Sequence, residues 1–142
     1  MKERSLKVVL GGPSSPLYNI NAGVPQGSVL GPTLFLVFIN DLPDEVLSRI
    51  GIYADDTTLY SCLGKAGVFE RVESAAELEV DLHSIVEWGN KWLVSFNATK
   101  TKLLSFNRHR DPLLLPVKMS GTELPEETSF RLLGLTFIQS MD

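Results

Sequence analysis

The chain has 142 residues, of which 44% are hydrophobic and 21% are charged, and its formal net charge at pH 7 is −4. These values are typical of one globular domain and exclude a disordered tail. The single cysteine, Cys62, excludes an internal disulfide, and structural zinc is excluded because the sequence has no cysteine–histidine cluster.

The first predicted elements are a hairpin and an apolar helix. Residues 6–10 and 18–24 have strand character and are joined by a loop rich in glycine, proline and serine, which predicts a β-hairpin. Ser28 can cap a helix over residues 29–41. Because this helix is apolar on all sides, we expect it to be buried. Its apolar run is shorter than the roughly 20 residues that cross a membrane, so we expect no membrane association.

A second hairpin and a long helix follow. Residues 49–53 and 57–61 are β-branched and aromatic, and only three residues separate them, which is hairpin spacing. Six apolar residues then recur at helical spacing, and we expect them to pack in the core. They are Ala75, Leu78, Leu82, Ile85, Gly89 and Trp92. The acidic residues Glu73, Glu77 and Asp81 are expected on another, solvated face.

The remaining elements are predicted to be strands, which makes the fold class α+β. Residues 102–106 (KLLSF) favour a strand, and residues 117–123 favour two short strands joined by a tight turn. Residues 130–138 favour one last strand.

The adjacent acids Asp55 and Asp56 lie between the two strands of the second predicted hairpin. At a tight turn both carboxylates can reach one small volume, whereas on a strand they would point to opposite faces. Two neighbouring carboxylates remain charged most easily beside a cation such as Mg²⁺, which prefers oxygen ligands. Aspartate is also common in turns without any ligand, so the dipeptide alone favours an ordinary turn.

A basic stretch covers residues 90–110, which contain five Lys or Arg residues and no acid. Aromatic residues lie among these cations, and this composition suits a nucleic-acid backbone with stacking surfaces. For each lysine, the alternative is that the side chain is solvated and binds no nucleic acid. The basic residues are Lys91, Lys100, Lys102, Arg108 and Arg110.

Three sequence blocks in a fixed order closely resemble the reverse transcriptase of non-LTR retrotransposons, of the LINE or jockey-like kind. They are GVPQGSVLGP at residues 23–32, INDLP at residues 39–43 and YADD at residues 53–56. Downstream, WGNKW at residues 88–92 resembles the start of the motif D region, and FRLLG at residues 130–134 resembles the primer-grip block. The resemblance covers almost the whole chain.

This resemblance implies a partial polymerase palm, in which an antiparallel sheet is backed by helices. Residues 1–142 would be a reverse transcriptase palm fragment from which motif A, the fingers and the thumb are absent. Among the acids, only Glu3 precedes Gly23, and its surroundings do not resemble motif A.

The implied activity is RNA-directed DNA synthesis by two-metal nucleotidyl transfer to a primer 3′-hydroxyl. By position, Asp55 and Asp56 would be the catalytic residues that bind two Mg²⁺ ions, or Mn²⁺ as a substitute, and Asp55 would be the direct ligand. Lys100 or Lys102 would be the basic residue near the pyrophosphate leaving group, where a cation stabilises developing charge.

The resemblance and the basic stretch also imply residues that bind nucleic acid or nucleotide. Tyr53 and Ala54 would lie beside the primer end. Gln26 and Gly27 would contact the template and the nascent base pair. Arg108 and Arg110 would contact the nucleic-acid backbone. For Gly27 the alternative is an ordinary turn residue that precedes a helix.

The implied partners are an RNA template, a DNA primer, a dNTP and the remainder of a parent polyprotein. The resemblance places the protein inside the cell, in the nucleus or the cytoplasm. One alternative remains open at this point. The chain would then be a catalytically dead retroelement remnant that acts as a nucleic-acid-binding or partner-binding module.

Overall fold

The computed structural model describes residues 4–21, 23–24, 26–61, 68–106 and 116–139. These residues contain helices and short antiparallel strands, which confirms the α+β class. The helices are α1 (Gly31–Ile39), a 3₁₀ helix (Leu42–Glu45) and α2 (Val68–Trp92). The strands are β1 (Arg4–Leu6), β2 (Tyr18–Ile20), β3 (Arg49–Tyr53), β4 (Asp56–Tyr60), β5 (Lys118–Met119), β6 (Thr122–Glu123), β7 (Ser129–Leu132) and β8 (Leu135–Ile138).

The strands described here form four separate two-stranded antiparallel pairs, β1–β2, β3–β4, β5–β6 and β7–β8. They do not form the single antiparallel sheet that the resemblance implied. Each strand pairs with the next strand along the chain, and such pairing requires only the closure of the intervening turn or loop. Joining the hairpins into one sheet requires pairing between distant segments, which has a larger entropic cost.

The chain divides into two compact units, residues 1–40 and residues 41–142. In the amino-terminal unit a hairpin forms as predicted, but β1 shares only Leu6 with the strand predicted at residues 6–10, and β2 covers only the first three residues of the strand predicted at 18–24. Helix α1 begins at Gly31, and no side chain caps its amino terminus, so the predicted cap at Ser28 is wrong. The prediction that this helix is buried is also wrong, because Leu36 and Val37 are exposed. The β1–β2 hairpin does not pack extensively against them.

The core of the carboxy-terminal unit lies between α2 and the β5–β6 hairpin. Val117, Met119 and Leu124 are buried there and pack against apolar residues of α2. The predicted apolar face of the helix is confirmed at its first five positions. Trp92 is 41% exposed and is not a core residue, whereas Trp88, one turn earlier, is 2% exposed. Trp92 is the last residue of the helix, and the Lys91 ammonium lies 5.6 Å from its ring centroid.

The carboxy-terminal strand predictions have mixed outcomes. Two short strands within residues 117–123 are confirmed as β5 and β6. Residues 130–138 form a hairpin, β7–β8, and not one strand, because Leu133 and Gly134 have φ angles of 50° and 85° and reverse the chain. Residues 102–106 form no strand, and only an isolated parallel bridge joins Leu103 to Glu126.

The carboxyl end of α2 is closed by a tight reversal. Leu93 has a φ of 61°, and the Val94 N–H donates to the Gly89 carbonyl at 2.8 Å, which is a Schellman pattern. This reversal brings Phe96 back over Gly89. A Cβ at residue 89 would lie 2.5 Å from the Val94 carbonyl oxygen and 3.1 Å from the Phe96 ring. The close approach therefore requires glycine.

Replacing Gly89 by alanine should destabilise the protein. We expect Gly89→Ala to lower the free energy of unfolding by about 1–3 kcal/mol, because the added methyl group overpacks the helix end. Urea-induced unfolding measures this change. Gly51→Ala is the control, since a Cβ at residue 51 meets nothing closer than the Thr58 carbonyl at 4.0 Å. Equal losses in the two variants would contradict the prediction.

Candidate active site

The Asp55–Asp56 pair lies at the end of the β3–β4 hairpin. The antiparallel register pairs Arg49 with Tyr60 and Tyr53 with Asp56. This register leaves Ala54 and Asp55 as a two-residue turn. Asp56 is therefore the first residue of β4 and does not belong to a three-residue loop.

The turn is tight because Ala54 adopts a φ of 51°. A positive φ at the first turn residue is typical of the primed turns that join two adjacent strands. This conformation is strained for alanine, which carries a Cβ. Tyr53, Ala54, Asp55 and Asp56 are all exposed. The four residues of the YADD block therefore occupy one solvent-accessible hairpin end.

The donor set at this hairpin end fits a hard divalent cation. Mg²⁺ is commonly bound through one or two carboxylates, with substrate phosphates and water completing its coordination. Asp55 and Asp56 can supply two carboxylates of this kind. In the described part of the chain, no group of three or more His, Cys, Asp or Glu side chains is placed to hold a metal ion. Two carboxylates do not fill the coordination of Mg²⁺, so the pair would need further ligands to hold this ion.

The base of the hairpin is attached to α2 by a buried carboxylate. Asp81 is 1% exposed, and its two oxygens accept the backbone N–H groups of Leu47 and Ser48, each at 2.8 Å. These two residues directly precede β3. The prediction that Asp81 lies on a solvated face is therefore wrong, although Glu73 and Glu77 are exposed as expected.

Sequence reasoning missed Asp81, although its spacing carried a signal. Residue 81 lies three positions after Leu78 and four positions before Ile85, and residues at these spacings share one face of a helix. Leu78 is half-buried and Ile85 is buried. An acid at such a position requires donors from another segment, because an unpaired buried charge has a high energetic cost.

Hydrogen bonds keep the Asp81 carboxylate ionised. Burial alone would raise the pKa of Asp81. The Ser48 side chain and the backbone amides of Leu47 and Ser48 outweigh this effect and lower the pKa below its ordinary value of 3.8. The ionised form accepts stronger hydrogen bonds than a neutral acceptor would.

A second contact holds the segment that leads to the hairpin. The Trp88 indole Nε1 donates to Asp41 Oδ1 at 3.0 Å, and Leu42, the next residue after Asp41, is fully buried. Helix α2 therefore contacts both ends of residues 41–48, with Trp88 at the first end and Asp81 at the second.

The two candidate lysines have different environments. Asn97 Oδ1 accepts the N–H groups of Thr99 and Lys100 at 2.9 and 3.3 Å, which fixes the local turn. The Lys100 side chain is exposed, and it has no ion-pair partner among the residues that the structure describes. The Lys102 ammonium instead forms an ion pair with Glu127.

The other predicted binding residues belong to separate parts of the chain. Gln26 and Gly27 are exposed and belong to the amino-terminal unit, where Gly27 has a φ of 79° shortly before α1. Arg108 and Arg110 lie outside the described residues. Of the described helices, none combines the length and apolar character that a membrane span requires.

The buried carboxylate of Asp81 gives a pH-dependent contribution to the free energy of unfolding. Because its pKa is lower in the folded than in the unfolded state, Asp81 stabilises the fold above pH 3.8, and this contribution disappears as the pH falls through the folded-state value. We expect Asp81→Asn to lower the free energy of unfolding by about 1–3 kcal/mol at pH 7. The difference from the wild type should shrink towards pH 3.

Urea unfolding between pH 7 and pH 3 tests this expectation. The control is Glu77→Gln, which changes an exposed acid of the same helix and should alter stability by less than about 0.5 kcal/mol. A difference between wild type and Asp81→Asn that stays constant over this pH range would contradict the assignment.

Comparisons with known proteins agree with the family that the three sequence blocks resemble. The family described as reverse transcriptase (RNA-dependent DNA polymerase) matches residues 7–137. The RNA-directed DNA polymerase from mobile element jockey of Drosophila funebris is 36% identical over 152 residues, which cover 97% of this chain and 15% of that protein. The protein of the same name from Drosophila melanogaster is 33% identical and covers 96% of this chain and 15% of its own length.

A further relative is the probable RNA-directed DNA polymerase from transposon BS of Drosophila melanogaster. It is 32% identical over 82% of this chain and 13% of its own length. No solved structure matches the chain. The chain thus spans about 15% of the length of the jockey polymerases that it matches. The predicted relationship is confirmed, and the chain belongs to the reverse transcriptase family.

Proposed function

We propose that the chain forms part of the palm of an RNA-directed DNA polymerase and that the Asp55–Asp56 turn is its metal-binding part. The observation that carries this proposal is the exposed pair of adjacent carboxylates at the end of a two-stranded hairpin. This hairpin lies within the residues that match the family.

The reaction is transfer of a nucleotide to a primer 3′-hydroxyl, whose oxygen attacks the α-phosphate while pyrophosphate leaves. Two Mg²⁺ ions, or Mn²⁺, would polarise the phosphate and favour the deprotonated hydroxyl. The two carboxylates bring two negative charges to this site. Because two such ions carry four positive charges, the nucleotide triphosphate and further ligands would have to supply the remainder.

Lys100 is the better candidate for the basic residue near the leaving pyrophosphate. A cation at that position stabilises the negative charge that develops when the bond to the α-phosphate breaks. The Lys100 ammonium is exposed, whereas the Lys102 ammonium already pairs with Glu127. Lys102 would instead add an ion pair to residues 103 and 125–127, which backbone hydrogen bonds already join.

The remaining predicted residues would bind the substrates. The partners would be an RNA template, a DNA primer, a dNTP and the rest of a longer polyprotein. This last partner is supported by the small share of each relative that the chain spans. Tyr53 and Ala54 would contact the primer end, Gln26 and Gly27 the template and nascent base pair, and Arg108 and Arg110 the nucleic-acid backbone.

Loss of one carboxylate at the turn should abolish polymerisation. We expect Asp55→Asn to lower the rate of primer extension at least about 100-fold, because the amide carries no charge to hold the metal ions. The assay follows dNTP incorporation on an RNA template annealed to a DNA primer. It uses the polypeptide encoded by the whole reading frame that contains the chain.

The matched control for this experiment is Asp44→Asn, which makes the same chemical change at an exposed residue of the 3₁₀ helix. This variant should extend the primer at the wild-type rate. Unchanged extension by Asp55→Asn, in an enzyme that is active as wild type, would refute the proposed site.

The same assay should distinguish the roles of the two lysines. We expect Lys100→Ala to lower kcat at least about tenfold at saturating dNTP, since the charge on the leaving group loses its cation. Lys102→Ala should lower kcat less than about threefold, because an exposed ion pair contributes little. Equal losses of kcat in the two variants would contradict the assignment to Lys100.

The alternative of a catalytically dead binding module gains no support from the comparisons. The four matched relatives are each named as an RNA-directed DNA polymerase or a probable one. Such a module would bind an RNA–DNA duplex and would extend no primer, so the wild-type extension assay separates the two functions.

A further inference from the structure

We propose that Asp81 is a positioning residue for the candidate active site, because it fixes the base of the hairpin that carries Asp55 and Asp56. The inference rests on the proposed function, since positioning matters only if the hairpin end takes part in the reaction. Asp81 touches neither substrate nor metal in this assignment. It acts through Leu47 and Ser48, whose N–H groups donate to its two oxygens.

Among the described helices and strands, the hairpin has no other extensive contact. Strands β3 and β4 contact each other far more extensively than they contact any other element. Alternate residues of β3 are exposed, as are both ends of β4. The position of the hairpin end relative to α2 therefore depends strongly on the direction in which the chain enters β3, and Asp81 fixes that direction.

The distance between this attachment and the hairpin end makes the effect large. A strand rises about 3.3 Å per residue, so Tyr53 lies roughly 17 Å along the strand from Ser48. A rotation of about 5° at the base then moves the hairpin end by roughly 1.5 Å, and a misplacement of about 1 Å at reacting groups can lower a rate about 100-fold.

The geometry of the Asp81 contact suits this role. Its two oxygens bind two successive backbone amides, and this two-point attachment restricts rotation as well as translation of the segment. The carboxylate side of the contact is buried, because Asp81 is 1% exposed. Trp88 and Asp41 restrain the other end of residues 41–48, so the segment is held at two places on one helix.

The kinetic test compares Asp81→Asn with Glu79→Gln in the full polypeptide used for primer extension. Asparagine retains one acceptor oxygen, but its amide group cannot accept the second N–H. Glu79 is a matched control, since its carboxylate accepts one backbone N–H from Lys118 at 2.7 Å and ties the same helix to β5. Both variants remove one negative charge from α2, but glutamine keeps an oxygen for the single Lys118 N–H, so only Asp81→Asn loses a hydrogen bond, at the base of the hairpin.

We expect Asp81→Asn to lower kcat at least about tenfold under conditions where the variant remains folded, with the KM for dNTP within about twofold of the wild type. Glu79→Gln should leave kcat unchanged. Asp81→Glu, which keeps two acceptor oxygens, should recover part of the loss. If kcat is unchanged in Asp81→Asn, or falls equally in the two amide variants, Asp81 has no specific positioning role.

A second measurement tests the positioning without catalysis. Nitroxide labels at Tyr53→Cys and Glu77→Cys, in the 142-residue chain with Cys62→Ser, report the distance between the hairpin end and α2 by pulsed electron paramagnetic resonance. Adding Asp81→Asn should broaden or shift the distance distribution, and adding Glu79→Gln should not. An unchanged distribution in Asp81→Asn would overturn the proposal.

The two measurements also separate this proposal from the proposed function. If Asp55→Asn extends primers like the wild type, the proposed active site fails, and the role of Asp81 in catalysis fails with it. The distance distribution still shows whether Asp81 orients the hairpin. If Asp55→Asn is inactive and Asp81→Asn is fully active, only the positioning role is lost.

Discussion

The carboxylate of Asp81 and the two backbone amides that it binds are the interaction on which the rest of the carboxy-terminal unit depends. A buried charge is tolerated only where donors compensate for lost hydration, and here the donors come from the chain that enters β3. The same helix packs against the β5–β6 hairpin through its apolar residues. Helix α2 therefore joins an apolar core to the segment that carries the acidic turn, and the polar contacts of Asp81 and Trp88 hold that segment.

The parts of the structure that the sequence predicted well are those determined by local signals. The turn between β3 and β4 follows from two β-branched strands with a short polar connection. The buried face of α2 follows from apolar residues at helical spacing, and β5–β6 follows from the Ser120–Gly121 turn, where both φ angles are positive. For the same reason the exposed position of Asp55 and Asp56 was predictable, since a hairpin end cannot be buried easily.

The features that the sequence did not predict depend on contacts between distant segments. Asp81 was assigned to solvent because acids are usually exposed, and its donors lie more than 30 residues away. The pairing of Lys102 with Glu127 crosses 25 residues, so sequence alone could not separate this lysine from Lys100. The hairpin at residues 129–138 was missed for another reason. Leu133 occupies a turn position that usually requires glycine or asparagine, and its apolar side chain resembles a strand residue.

The local pairing of all four hairpins has a consequence for how this protein acquires its structure. Adjacent strands can associate within microseconds, since only a short connection separates most of them. The bond between Ser48 and Asp81 closes a loop of 33 residues and has to overcome a larger loss of chain entropy. We therefore expect the acidic turn to form early as an independent fragment and to dock onto the preformed helix late. The candidate active site would then reach its final position late in folding.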